Sequence, residues 1–228
     1  MDKNFVVRLW CGLGIFVVAI IALYTFNMIP FKILYSLFAL VAGIELLSFF
    51  QHGFKIKKAL LAILEIIFLV ISSIWVAGTD LIHFWYIILG VCGYDIFAYL
   101  CGKAIGGKIF KKSRPFPHIS KNKTWEGTFC GLIISVILVA IFMITQGRVD
   151  TDYYFLFCGL FALVGDLFES FLKRQFKIKD SNEIVIKNKY FAKLEYVVGG
   201  TEGHGGFLDR IDSTAFSATV LFVIALFA

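Results

Sequence analysis

Long apolar runs recur along the whole chain, separated by short polar stretches, and this alternation is its dominant pattern. A helix that crosses the hydrocarbon core of a bilayer needs about 20 mainly apolar residues. Seven runs meet that requirement, at residues 5–26, 31–50, 58–77, 80–101, 126–145, 153–172 and 211–228. The apolar–polar alternation of a transmembrane β-strand is absent. The pattern therefore predicts an all-α fold: a polytopic integral membrane protein of about seven transmembrane helices. Only Gly78-Thr79 separates the third and fourth runs, which predicts a tight helical hairpin. No small-residue cleavage pattern follows the first run, so a retained span is expected there rather than a signal peptide.

Composition agrees with this reading. Of 228 residues, 59% are hydrophobic and 17% charged, against about 25% charged in a soluble domain. The net charge of +6 matters less than its distribution. Residues 51–58 carry Lys55, Lys57 and Lys58 with no acid. Residues 102–125 carry seven basic residues and no acid, and residues 173–210 carry eight basic and five acidic ones. The intervening loops are poor in cations. The positive-inside rule then places the N-terminus and the three basic loops in the cytoplasm, and seven spans put the C-terminus outside. The five cysteines (Cys11, Cys92, Cys101, Cys130 and Cys158) lie in or beside apolar runs without a CxxC pair. They read as buried, reduced, structural thiols.

The orientation gives the acidic residues a common depth. Asp95, Glu126, Asp166, Glu169 and Asp212 come from four spans, each near the cytoplasmic end, and Glu45 and Glu65 follow less tightly. A carboxylate in lipid is costly and marks a functional site by default. One polar cavity, open to the cytoplasm and sunk into the inner leaflet, accounts for all of them. An ion transporter would spread its acids across the membrane depth and often shows internal repeats. Neither pattern is present.

Two stretches concentrate the chemistry. In the first, Asp166, Glu169, Ser170 and Lys173 are spaced i, i+3, i+4, i+7 and share a helix face. In the second, Gly203-His204-Gly205-Gly206-Phe207-Leu208-Asp209-Arg210-Ile211-Asp212 opens the last span. Hard carboxylate oxygens suit Mg²⁺, which usually takes one or two protein carboxylates plus waters and phosphates. Asp166 and Asp209 are the first choices as ligands. The same spacing also serves an ion pair of Asp166 with Lys173 or Arg174, and both readings stay open. His204, Gly205 and Gly206 fit either a backbone cradle for phosphate or an ordinary glycine-rich turn. In the 102–125 loop, Lys121 and Lys123 lie in the dense polar run Ser120 to Gly127, where an anionic headgroup or a nucleotide triphosphate could bind. Walker A, G-x-S-x-G and HExxH sequences are absent.

Together these residues resemble the phosphatidate cytidylyltransferase (CDP-diacylglycerol synthase) family. Ser170, Lys173, Arg174, Lys179 and Asp180 match the first half of its C-terminal pattern. His204, Gly205, Gly206, Asp209, Arg210 and Asp212 match the second half. Asp95, Tyr99 and Gly102, then Ser120 to Gly127, match upstream elements, so the resemblance covers residues 90–215. It implies transfer of a cytidylyl group from CTP to phosphatidate, with membrane lipids and no nucleic acid as partners. It also implies Mg²⁺ at Asp166, Asp209 and Asp212, and leaves open a second, monovalent ion such as K⁺ and a homodimer.

Under the resemblance Asp166, Asp209, Lys173, Arg174, His204 and Asp212 are catalytic. Asp95, Lys121, Lys123, Glu126, Ser170, Lys179, Asp180, Gly205, Gly206 and Arg210 bind substrate. Residues 1–79 become N-terminal transmembrane helices, and residues 80–228 a catalytic transmembrane region with loops 102–125 and 173–210. The expected location is the inner (cytoplasmic) membrane, with the site facing the cytoplasm. A related CTP-dependent lipid enzyme such as a polyprenol kinase is the alternative, ahead of a transporter. One departure stands out: 23 residues separate Asp180 from His204, where the family's spacer is much shorter, and Glu202 replaces the usual proline. The insertion, residues 183–200, carries Lys187, Lys189 and Lys193.

Overall fold

The computed structural model describes residues 29–49, 56–111, 114–178 and 206–227. The expected span at 5–26, the insertion at 183–200, and Lys179, Asp180, His204 and Gly205 lie outside the described residues. Six α-helices are described: α1 (Ile29–Phe49), α2 (Ile56–Gly78), α3 (Leu81–Ile105), α4 (Trp125–Gln146), α5 (Cys158–Phe176) and α6 (Leu208–Ala225). A 3₁₀ turn, Tyr153–Phe157, leads into α5. No strand occurs among the described residues.

The helix ends follow local chemistry. Asp80 caps α3 by accepting the His83 N–H at 2.9 Å, and Thr124 caps α4 by accepting the Gly127 N–H at 3.1 Å. Gly147, at φ 65°, closes α4 in the left-handed conformation that glycine adopts without strain. Lys32 donates to the Ala77 carbonyl at 2.7 Å, placing a cation at the C-terminal end of α2.

Helices α2, α3, α4 and the Tyr153–Phe176 segment are each long and apolar enough to cross a membrane, so the chain is an integral membrane protein. Helix α6 differs, because Asp209, Arg210 and Asp212 fall in its first two turns. Together with α5, it is an element that both hydrophobic cores share. One core joins Ala42 and Leu46 of α1, Leu69 of α2, Leu172 and Phe176 of α5, and Leu208 and Ile211 of α6. The other joins Tyr86 and Tyr94 of α3, Val139 and Met143 of α4, Ala162 of α5, and Ala218 and Leu221 of α6.

The closest pairing is α3 with α4. Gly127 and Gly131, four residues apart, let the backbones meet. A Cβ on Gly127 would lie 2.4 Å from the Ala98 carbonyl oxygen, and one on Gly131 would lie 2.7 Å from that of Tyr94. Small residues at this spacing are how membrane helices approach closely.

Two expectations are corrected. Helices α2 and α3 are joined by two residues but do not pair as a hairpin: α2 packs on α1 and α6, and α3 packs on α4 and α5. The short link is satisfied locally, by the Thr79 N–H donating to Trp75 O and by the Asp80 cap, so the two faces are free to choose other partners. Cys101 and Cys130 form a disulfide between α3 and α4, instead of remaining reduced. The helix pairing brings their Cα atoms to 6.4 Å. Cys92 and Cys158 are free thiols as expected, though Cys92 is exposed, and Cys11 lies outside the described residues.

Candidate active site

A cavity of about 500 Å³ opens between α3, the loop before α4, and α5. One face of α3 supplies Tyr94, Asp95, Ala98, Tyr99, Gly102 and Lys103. The spacing i, i+1, i+4, i+5, i+8, i+9 is a single helical stripe. The loop contributes Arg114, Ser120, Asn122, Lys123 and Thr124, and α5 contributes Asp166.

Lys123 and Asp166 form an ion pair in this cavity. The Lys123 ammonium also donates to the Tyr94 hydroxyl at 3.3 Å and lies 5.3 Å from the centre of the Tyr94 ring. Burial on its own would pull the Lys123 ammonium down, but Asp166 and Tyr94 outweigh it and hold the group above the ordinary lysine range. Ser170 donates to Asp166 at 3.4 Å, one helical turn along α5.

A second polar cluster joins α5 to α6. Lys173 is ion-paired with Glu169 at 2.6 Å and with Asp209. Asp209 also accepts the Gly206 N–H at 2.7 Å. Glu169 is 1% exposed and Lys173 11%. This burial is tolerable only because the lysine is paired with both carboxylates. Asp212, buried one turn beyond Asp209, lies within electrostatic reach of Asp166, Asp95 and Glu65. Glu169 in turn feels Asp209 and Asp212. Asp212 thus sits electrostatically between the cavity and the Lys173 cluster.

The structure therefore brings together Asp95, Lys123, Asp166 and Ser170 at the cavity, and Lys173, Gly206, Asp209 and Asp212 beside it. Other expected residues go elsewhere. Glu126 is buried and accepts the Ile109 N–H at 3.0 Å and the Phe110 N–H at 3.1 Å, folding the turn after α3. Lys121 is exposed and outside the cavity lining. Arg174 donates to the Ile178 carbonyl at 3.2 Å. Arg210 is exposed, its guanidinium 5.8 Å from the Phe207 ring centre. The reading from sequence passed over Tyr94, although it lies on the same helical face as the motif residues Asp95, Tyr99 and Gly102.

Among the described residues no three carboxylate, histidine or cysteine side chains converge tightly enough to hold a metal ion alone. The donor set nonetheless fits Mg²⁺, which needs only one or two carboxylates when phosphates and waters complete its shell. Lys123 balances Asp166, whereas none of Asp95, Asp212 and Glu65 is held in an ion pair by a described residue. The cavity lining offers carboxylate oxygens at Asp95 and Asp166 beside the cations Lys103, Arg114 and Lys123, a mixture that suits a metal ion bound together with phosphates.

Fold and site define a class: a helical membrane protein whose carboxylates and lysines gather around a cavity at the helix ends. Comparison with known proteins makes this specific. Residues 9–186 match the cytidylyltransferase family. The chain is 31% identical to a phosphatidate cytidylyltransferase of Rickettsia felis, across 98% of this chain and 93% of the relative. A phosphatidate cytidylyltransferase of Rickettsia bellii is 31% identical across 97% and 91%. One from Bacillus subtilis is 35% identical across 65% of this chain and 49% of the relative. The chain belongs to the cytidylyltransferase family.

Proposed function

We propose that the protein transfers a cytidylyl group from CTP to phosphatidate, giving CDP-diacylglycerol and pyrophosphate. The observation that carries this reading is the convergence of the two motif halves: Lys173 of the first half is ion-paired with Asp209 of the second, beside the cavity that Asp95 and Asp166 line. The names of the similar proteins point the same way. A cavity of about 500 Å³ is also of the size that ligand sites take.

In the reaction a phosphate oxygen of phosphatidate attacks the α-phosphorus of CTP. The bond from that phosphorus to the oxygen bridging to the β-phosphate breaks, and pyrophosphate departs with the electron pair. The attacking phosphate is already anionic, so no strong base is needed, and catalysis rests on positioning and charge neutralisation. One or two of Asp166, Asp209 and Asp212 would hold Mg²⁺, which supplies Lewis-acid neutralisation of phosphate charge when bound. Lys123, Lys103 and Arg114 present positive charge from the cavity wall toward the triphosphate. Lys173 fixes Asp209 through their ion pair. By the family resemblance, Gly206, Arg174 and Arg210 would contact the phosphates of either substrate.

The seven-span topology, with basic loops and cavity on the cytoplasmic side of the inner membrane, lets CTP arrive from water while the acyl tails stay in the inner leaflet. The test is conversion by purified protein in detergent with Mg²⁺ and CTP, offering phosphatidate or a polyprenol. Product from phosphatidate supports the reading. Product from the polyprenol alone assigns the chain to a different CTP-dependent lipid reaction.

A further inference from the structure

The helix that carries Asp209, Arg210 and Asp212 begins without a cap of its own. Its N-cap residue is Phe207, whose side chain makes no capping hydrogen bond. The first N–H groups of any helix have no partner within it and must find one elsewhere. Here the partner comes from far away in sequence. Glu45 of α1 accepts the Phe207 N–H at 2.8 Å through Oε1 and the Leu208 N–H at 3.0 Å through Oε2. Its carboxylate also opposes the positive end of the α6 dipole.

Glu45 is 1% exposed and adjoins Leu46 in the apolar core that also contains Phe207, Leu208 and Ile211. The Phe38 and Phe207 rings meet edge to face at 5.1 Å, closing the same contact. Three successive amides are therefore each held by a carboxylate: Gly206 by Asp209, and Phe207 and Leu208 by Glu45. The residue after this run is Asp209 itself.

We propose that Glu45 is a positioning residue for cytidylyl transfer. It fixes the height and rotation of the first turn of α6, and so the direction in which Asp209 and Asp212 point, without touching substrate. This rests on the roles given above to Asp209 and Asp212. It extends the site into the N-terminal helices, where no family motif lies. Both carboxylate oxygens are used as acceptors, so Glu45→Gln keeps the shape but sets an NH₂ donor against one of the two amides. Glu45→Asp keeps both acceptors on a shorter arm.

The experiment compares wild type, Glu45→Gln, Glu45→Asp and a control, Tyr35→Phe. The control removes another buried α1 hydrogen bond, from Tyr35 to Ser72 at 3.0 Å, ten residues before Glu45 and so about 15 Å along the helix from it. Steady-state kinetics are read per mole of folded protein, and amide hydrogen exchange is read over residues 206–212. Glu45→Gln is expected to lose about 10- to 100-fold in kcat, the scale of a small misplacement of catalytic groups, with a smaller change in KM for CTP. Exchange at 206–212 should rise, and Glu45→Asp should recover part of both effects. Tyr35→Phe should lower Tm and leave kcat unchanged.

A Glu45→Gln enzyme with kcat within about twofold of wild type, or unchanged exchange at 206–212, overturns the proposal. So does a loss of kcat in Tyr35→Phe equal to that in Glu45→Gln, which would make the effect one of general stability. If Glu45→Gln does not fold, Glu45→Asp carries the same two readouts. If wild type itself is inactive on CTP and phosphatidate while exchange still responds to Glu45, the functional reading fails and the contact between α1 and α6 stands.

Discussion

Lys123 and Asp166 form an ion pair that ties the loop before α4 to the middle of α5 across the cavity. Neither side chain is fully exposed, at 16% and 31%, so the pair is only partly screened by water. Lys123→Ala should lower kcat/KM for CTP by roughly 100-fold, the usual loss when one electrostatic donor leaves a preorganised site. The double variant with Asp166→Asn should be less impaired than the product of the two single losses, because each change strands the other partner. Additive losses would mean the pair does not act as a unit. Lys123 is held above the ordinary lysine value of 10.5. Its stabilising contribution is therefore complete below that value and is lost only as pH rises through the raised one. A decline in activity between pH 8 and 9 that disappears in Lys123→Ala would contradict this assignment.

Lys173 lies between two carboxylates that would otherwise face each other. With Glu169 at 2.6 Å and Asp209 in contact, Lys173→Met removes the cation that faces both buried carboxylates. The expected cost is about 3–5 kcal/mol. Adding Glu169→Gln should return part of it. Thermal unfolding in detergent measures both, and a double variant no more stable than the single one would show that charge matching is not the cause.

On the opposite end of α3, Asp80 caps the helix and binds His83 Nδ1 at 2.6 Å. Burial pushes the carboxyl up, but the His83 backbone and side chain together with Arg148 outweigh it and hold Asp80 below its ordinary 3.8. A depressed folded value means that the stability it adds is present above 3.8 and is lost as pH falls through the lower value. Asn caps about as well as Asp, so Asp80→Asn isolates the charge. The variant should melt below wild type at pH 7, by a small amount because the side chain is 52% exposed. The two melting curves should converge as pH falls below the lowered value. A gap that widens on acidification would contradict the sign.

Gly127 and Gly43 form a contrasting pair. A Cβ on Gly127 meets backbone, at 2.4 Å from Ala98 O and 3.0 Å from Gly102 Cα, which cannot swing away. Gly127→Ala should cost about 1–3 kcal/mol and, by parting α3 from α4, widen the cavity wall and weaken CTP binding. A Cβ on Gly43 meets nothing within 4 Å, so Gly43→Ala should be neutral or stabilising by up to about 1 kcal/mol. Equal losses in the two variants would rule out steric contact as the reason.

The apolar runs made much of the fold legible. The runs at 58–77 and 126–145 became α2 (Ile56–Gly78) and α4 (Trp125–Gln146), because one uninterrupted apolar stretch has one helical solution in lipid. The start of α6 was less legible. Phe207 gives no capping signal, and its amide is satisfied by Glu45, 162 residues earlier. The motif residues located Asp166, but helical spacing offered Lys173 or Arg174 as its cation. Lys173 is instead taken by Glu169 and Asp209, and Lys123 arrives from another element. Glu126 shows the same limit. Its position in the motif could not reveal that its carboxylate is committed to the Ile109 and Phe110 amides. Periodicity reports which face is apolar, whereas the choice among several nearby cations or amides is settled by tertiary packing.

The central claim is that the α-phosphorus of CTP, rather than the γ-phosphorus, moves to lipid phosphate. Purified protein supplied with Mg²⁺ and phosphatidate should be given CTP radiolabelled at the α-phosphate and, separately, at the γ-phosphate. The account predicts label from the α position in the lipid product and label from the γ position in released pyrophosphate, in equal amounts. Label from the γ position in lipid, with CDP released, would identify a kinase reaction and contradict the account.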